Sequence, residues 1–144
     1  MKKLLIFLFS ILISFNSYGK TVCVETDDVQ KRDGTYYLVN QEKPFTGNNS
    51  CQYLSNGQQH SKGKIKKGKK NGKWIQWYEN GQIESETIFK SGKRKKWIQW
   101  YENGQIESER NYNPPGTLDG KLNLWYENGQ IDGETNYKEG KWDG

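Results

Sequence analysis

The sequence predicts an all-β protein, a single-layer ribbon of stacked antiparallel β-hairpins. Three observations carry that prediction. The 144-residue chain has no alanine and a single methionine, while apolar residues make up 32% and aromatic residues alone 14%. The best helix formers are thus missing, strand formers dominate, and the apolar mass is too small for a thick core. A heptapeptide, Trp-Tyr-Glu-Asn-Gly-Gln-Ile, runs from Trp77 to Ile83 and recurs from Trp100 to Ile106 and from Trp125 to Ile131, at offsets of 23 and 25 residues. Each copy sets Asn-Gly between strand-forming residues, the strongest short-range signal for a β-hairpin.

Residues 1–19 read as a signal peptide: Lys2-Lys3 is a basic n-region, Leu4 to Phe15 an apolar stretch, and Ser17-Tyr18-Gly19 a small-x-small cleavage site. The apolar stretch is too short to span a bilayer. The expected location is therefore exported, periplasmic or secreted. Removal of Lys2 and Lys3 lowers the formal net charge from +5 to +3, too little to point to nucleic acid.

In an oxidising compartment the only two cysteines, Cys23 and Cys51, are expected to form a disulfide; two unrelated buried thiols are the alternative. Neither a metal site nor a cofactor is implied. His60 is the only histidine, lies in a polar segment and reads as a solvated loop residue, so the chain offers no Cys/His ligand set and no nucleophile system. The protein is expected not to be an enzyme.

Residues 20–43 form an N-terminal segment, a candidate degenerate first repeat, and residues 44–144 carry the hairpins. A degenerate copy, Tyr53-Leu54-Ser55-Asn56-Gly57-Gln58, lies 24 residues before the first full one, which matches Tyr53 to Trp77. A two-residue type I′ turn at Asn80-Gly81 would set Tyr78 opposite Ile83, Trp77 opposite Glu84, Gln76 opposite Ser85, Ile75 opposite Glu86 and Trp74 opposite Thr87. Cross-strand partners share a face. One face then collects Trp74, Tyr78, Ile83 and Phe89, with Trp97, Tyr101, Ile106 and Tyr112, and Leu122, Tyr126, Ile131 and Tyr137, in the later units; it is apolar in every unit and expected to be buried. The other face carries Trp77, Trp100 and Trp125, each opposite an acid, Glu84, Glu107 or Asp132, with a second acid at Glu86, Glu109 or Glu134.

That indole and carboxylate ladder is the candidate partner-binding surface; its bland reading is that the tryptophans cover backbone in a thin sheet. Acid pairs repeated along an open sheet do not form the cleft that glycoside hydrolysis needs. The segments between hairpins carry the basic charge. Lys66, Lys67, Lys69 and Lys70, then Lys93, Arg94, Lys95 and Lys96, form a cationic rim that is the candidate contact for an anionic envelope surface, each well-placed cation adding about 1 kcal/mol near a membrane. At the C-terminal end, the strand from about Gln130 to Lys138 is expected to be an open edge, able to add a strand from a partner or a second copy.

The residues Gly72-Lys73-Trp74, Trp77 to Gln82, Glu86 and Phe89-Lys90-Ser91-Gly92 resemble the bacterial variant of the MORN repeat. Upstream, Arg32 to Tyr37 and Lys43 to Gly47 are similar to the opening of antitoxin-like MORN-variant proteins, so that the resemblance covers about residues 31 to 144. It implies a ribbon of stacked hairpins and an antitoxin label, which the export signal turns toward an exported immunity role. The reading is a non-enzymatic scaffold that holds a protein partner, and the alternative is an envelope module that binds anionic lipid or cell-wall polymer through its lysines.

Overall fold

The computed structural model describes residues 19–113 and 116–143. The predicted signal peptide lies outside the described residues, apart from Gly19. Among the described residues there are twelve strands and no helix. Ten strands form one sheet: β1 (Thr21–Val22), β4 (Gly47–Gln52), β5 (Gln59–Lys66), β6 (Lys69–Trp77), β7 (Ile83–Lys90), β8 (Lys93–Trp100), β9 (Ile106–Asn113), β10 (Thr117–Trp125), β11 (Ile131–Lys138) and β12 (Lys141–Trp142). Each strand from β4 onward pairs antiparallel with its sequence neighbour, and β1 pairs parallel with β4. The predicted all-β ribbon of hairpins is the observed fold. β2 (Val29–Arg32) and β3 (Thr35–Leu38) form a separate two-stranded sheet.

Two turn types alternate along the ribbon, and the two-residue turns are not at the predicted Asn-Gly positions. At Asn80-Gly81, Gly81 N–H donates to the Tyr78 carbonyl (2.9 Å) and Tyr78 N–H to the Gln82 carbonyl (2.8 Å), closing a three-residue loop, Glu79-Asn80-Gly81. Gly81 takes a φ of 83° while Asn80 stays at negative φ, whereas a type I′ turn needs positive φ at both central residues. Asn80 serves the turn through its side chain instead: Oδ1 accepts from Gln82 N–H (2.9 Å). The two-residue turns with both φ values positive occur at Asp33-Gly34, Lys67-Gly68, Ser91-Gly92 and Glu139-Gly140. Most of the lysines predicted to lie in linkers are therefore in β5, β6 and β8, and only Lys67 occupies a turn.

The extra loop residue shifts the register, and a β-bulge restores it. Trp77 pairs with Ile83, and Gln76 pairs with Ser85, so Glu84 is left over as the bulged residue. The later units repeat this with Trp100 opposite Ile106 and Trp125 opposite Ile131. From Gln76↔Ser85 inward the predicted register holds; outward of it Trp77 does not face Glu84. Tyr53 likewise corresponds to Tyr78 rather than to Trp77, because Tyr53 N–H donates to the Gln58 carbonyl (2.8 Å) around a loop one residue longer, with Leu54 fully exposed.

Hairpins are stitched together at both edges. The phenols of Tyr53, Tyr78 and Tyr101 donate to the carbonyls of Trp77, Trp100 and Trp125 in the following hairpin, at 2.6, 2.7 and 2.8 Å. The amides of Asn56, Asn80 and Asn103 donate to the carbonyls of Glu79, Glu102 and Glu127, again one hairpin ahead. At the other edge, the Gly68 and Gly92 N–H groups donate to the Phe45 and Lys70 carbonyls. Each unit thus satisfies backbone acceptors of its neighbour, as a repeat that cannot stand alone must.

The core sits at one end only. Phe45, Ile65 and Trp74 are buried together, with Val22, Val24, Tyr36, Leu38 and Phe89 packed against them, and Cys51 is buried as well. Tyr36 and Leu38 come from β3, so the small sheet covers the Trp74 face of the first two hairpins. Cys23 and Cys51 form the predicted disulfide. Asn49, fully buried, accepts from Val24 N–H and donates to Ser61 Oγ (both 2.9 Å), tying the N-terminal segment to β5. The predicted continuous buried face is corrected by this arrangement. Ile83, Ile106 and Ile131 are 37, 38 and 59% exposed, and Tyr126 is exposed, because the bulge turns the isoleucines to the other face and, among the described residues, no second layer follows along the ribbon.

His60 is also corrected, from loop to strand: it lies in β5, 3.1 Å from Glu25 through Nδ1, with its ring against Tyr53. The C-terminal edge is half covered. β12 pairs with Tyr137 and Lys138, and Asp143 N–H donates to the Asn136 carbonyl (2.8 Å), so among the described residues Ile131–Thr135 is the part of β11 without a partner on that side.

Candidate binding face

The nine candidate partner-binding residues divide between the two faces of the ribbon. Trp77 and Ile83 are cross-strand partners on the face opposite Trp74, and Trp100 with Ile106 and Trp125 with Ile131 repeat the pair. One half-buried tryptophan and one exposed isoleucine per unit therefore line that face near the Asn-Gly edge. Glu84 goes the other way. It lines a hollow with Trp74, Gln76, Thr87, Trp97 and Gln99 on the core-side face, where a bulged residue is directed by the change of register. Glu107 and Asp132 occupy the same bulge positions.

These acids stand near the tyrosine phenols. Burial first, then the charge of Glu84 and neighbouring carboxylates, raises the pKa of Tyr53 and Tyr78 above the ordinary value. Burial, then Glu107, Glu127 and Asp132, does the same for Tyr101. Both causes keep the phenol protonated, the form that donates to the next hairpin's carbonyl. Tyr126 is raised chiefly by the Asp132 carboxylate.

Glu86, Glu109 and Glu134 remain on the tryptophan face, but each is matched within its own hairpin. Lys73 Nζ lies 2.7 Å from Glu86, Lys96 2.6 Å from Glu109, and Lys121 2.7 Å from Glu134. Exposed pairs of this kind add little stability. Their effect here is to cancel the acidic ladder that the sequence suggested, leaving Trp and Ile as the distinctive chemistry of the face.

The cationic rim is likewise partly engaged. Lys69 Nζ donates to the Gly34 carbonyl (2.8 Å). Lys70 lies 4.1 Å from the centre of the Trp74 ring and 5.5 Å from that of Phe89, and burial lowers its pKa. Arg94 stacks at 5.2 Å over Trp97, and Lys96 is paired with Glu109. Lys66, Lys67, Lys93 and Lys95 are exposed. Cys23, Glu25 and Cys51 bring three ligand-type atoms within 4.8 Å of one another, but the two sulfurs are joined and carry no thiolate.

A comparison with curated proteins and one with solved structures return no match. MORN repeats generally act as protein- or membrane-binding modules rather than catalysts. Residues 70–91, 94–113 and 118–139 each match the family model of the MORN repeat variant, and the three segments coincide with the β6–β7, β8–β9 and β10–β11 hairpins.

Proposed function

We propose that the chain is an exported, non-enzymatic scaffold that holds a protein partner against the Trp–Ile face, in an antitoxin- or immunity-like role. The observation that carries this reading is the line of exposed isoleucines, each beside a tryptophan, recurring in the β6–β7, β8–β9 and β10–β11 hairpins of a chain that is otherwise hydrophilic. Exposed apolar side chains repeated along one face of a polar protein suit an interaction site, and aromatic residues are enriched in the cores of protein interfaces. The disulfide fits an oxidising compartment.

The envelope reading is the weaker one, because Lys69, Lys70, Arg94 and Lys96 are engaged within the protein. Salt separates the two. Capture of a partner from envelope extract by the purified chain should persist from low to high ionic strength if the apolar face binds. Capture that collapses with salt would assign binding to the lysines instead.

A further inference from the structure

The charge pairing of the tryptophan face is broken in one hairpin. Ile75↔Glu86, Ile98↔Glu109 and Asn123↔Glu134 are cross-strand pairs in the three matched units, and the lysine two residues before each first member neutralises the acid. In the β4–β5 hairpin the same positions are Ser50↔Lys62 and Asn48↔Lys64. The acid has become Lys62, its lysine partner has become Asn48, and the residue equivalent to Ile88, Asn111 and Asn136 has become Lys64. Among the described residues neither Lys62 nor Lys64 has a carboxylate within ion-pair distance.

These substitutions surround a depression of about 610 Å³ lined by Thr21, Ser50, Lys62, Lys64, Lys73 and Ile75. Three ammonium groups and one carboxylate, Glu86 on Lys73, leave it with two uncompensated positive charges. Lys62 and Lys64 are two residues apart on one strand and project from the same face, about 7 Å apart at the backbone. The Thr21 hydroxyl adds a neutral donor, Ser50 Oγ being engaged with the Gln59 amide, and Ile75 with the lysine stems supplies an apolar wall.

We infer that this depression binds a phosphate monoester, whose charge of nearly −2 at neutral pH matches the two unpaired lysines and whose organic part rests on Ile75. The surface lies on the first hairpin and does not depend on the partner-binding reading. The monoester belongs either to a soluble metabolite or to a lipid headgroup, and both present the same group to Lys62 and Lys64.

Titration calorimetry of the full chain with glycerol 3-phosphate, and sedimentation with vesicles of phosphatidylcholine with or without phosphatidic acid, test this. Saturable binding to the soluble ester assigns a free ligand, and binding to phosphatidic acid vesicles alone assigns a headgroup. In either case the Lys62→Gln/Lys64→Gln variant should weaken binding at least tenfold, and Lys66→Gln/Lys67→Gln should leave it within twofold. The Asn48→Lys/Lys62→Glu variant, which rebuilds the pair of the other hairpins, should melt at or above the parent temperature and lose binding. Absence of binding to both probes, or equal weakening by the Lys66/Lys67 control, overturns the inference.

Discussion

The phenol of Tyr78 donates a 2.7 Å hydrogen bond to the main-chain carbonyl of Trp100, 22 residues ahead and in the next hairpin. The same bond joins Tyr53 to Trp77 and Tyr101 to Trp125. A side chain of one unit thus satisfies a backbone acceptor of its neighbour, at the position where the strand leaves the ladder to form its three-residue loop. The repeating Trp-Tyr dipeptide follows from this: the tyrosine reaches forward, and the tryptophan supplies the carbonyl and half of the exposed apolar pair.

Removing the Tyr78 hydroxyl while keeping its ring should therefore cost about 1 kcal/mol, the usual net value of an intramolecular hydrogen bond. Tyr126 makes no such bond to a following hairpin among the described residues. Chemical denaturation of Tyr78→Phe and Tyr126→Phe checks the contrast, with the second variant expected within about 0.5 kcal/mol of the parent.

Alkaline pH should weaken the same ladder. The phenols of Tyr53, Tyr78 and Tyr101 titrate above their ordinary value of 10.0 in the folded chain. A raised folded pKa contributes stability that is fully present below pH 10 and is lost as pH rises through the folded value. Lys70 works in the opposite sense: its lowered pKa makes the folded state less favourable while the ammonium is charged, and that cost fades as pH approaches 10.5. Replacing all three tyrosines with phenylalanine leaves the Lys70 contribution in place. Melting temperature measured across pH 9 to about 11 should fall less steeply in the triple variant than in the parent.

Two glycines should respond in opposite ways to alanine. A methyl on Gly63 would enter the Trp74 ring, whose Nε1 is fixed by donation to the Lys64 carbonyl (3.0 Å). Gly133 meets nothing within 4 Å and has no positive φ. Gly63→Ala should cost roughly 1 to 3 kcal/mol through overpacking, whereas Gly133→Ala should be neutral or stabilising by up to about 1 kcal/mol. Denaturation midpoints of the two variants decide this.

Breaking the Cys23–Cys51 bridge should cost about 3 kcal/mol, given the 28-residue separation it closes. Melting of the Cys23→Ser/Cys51→Ser variant against the oxidised parent measures it.

The ribbon was legible because its signals are local and repeated: Asn-Gly between strand formers, a period near 24 residues, and one pair of cysteines. The binding face was legible only in part. A type I′ turn asks Asn80 for positive φ, but Asn80 acts through its side-chain oxygen on Gln82 N–H. That choice lengthens the loop, forces the bulge at Glu84 and moves Ile83 beside Trp77. A single misplaced residue thus exchanges the apolar and acidic partners of every tryptophan. The pairing of Lys73 with Glu86 was hidden because it is diagonal rather than directly cross-strand. The β2–β3 cover was hidden because its packing onto Trp74 is a non-local contact, which no periodicity in residues 20–43 announces.

The central claim is that the Trp–Ile face holds the partner, and partner capture by charged-face variants tests it most directly. Ile83→Asp/Ile106→Asp places a carboxylate beside Trp77 and Trp100 at positions that are already more than a third exposed, so the fold should survive, as circular dichroism would show. Lys66→Glu/Lys93→Glu/Lys95→Glu reverses charge on exposed lysines of the rim. The account predicts that the isoleucine variant captures no partner from envelope extract while the lysine variant captures it as the parent does. A folded isoleucine variant that still captures the partner, with capture lost in the lysine variant, would contradict it.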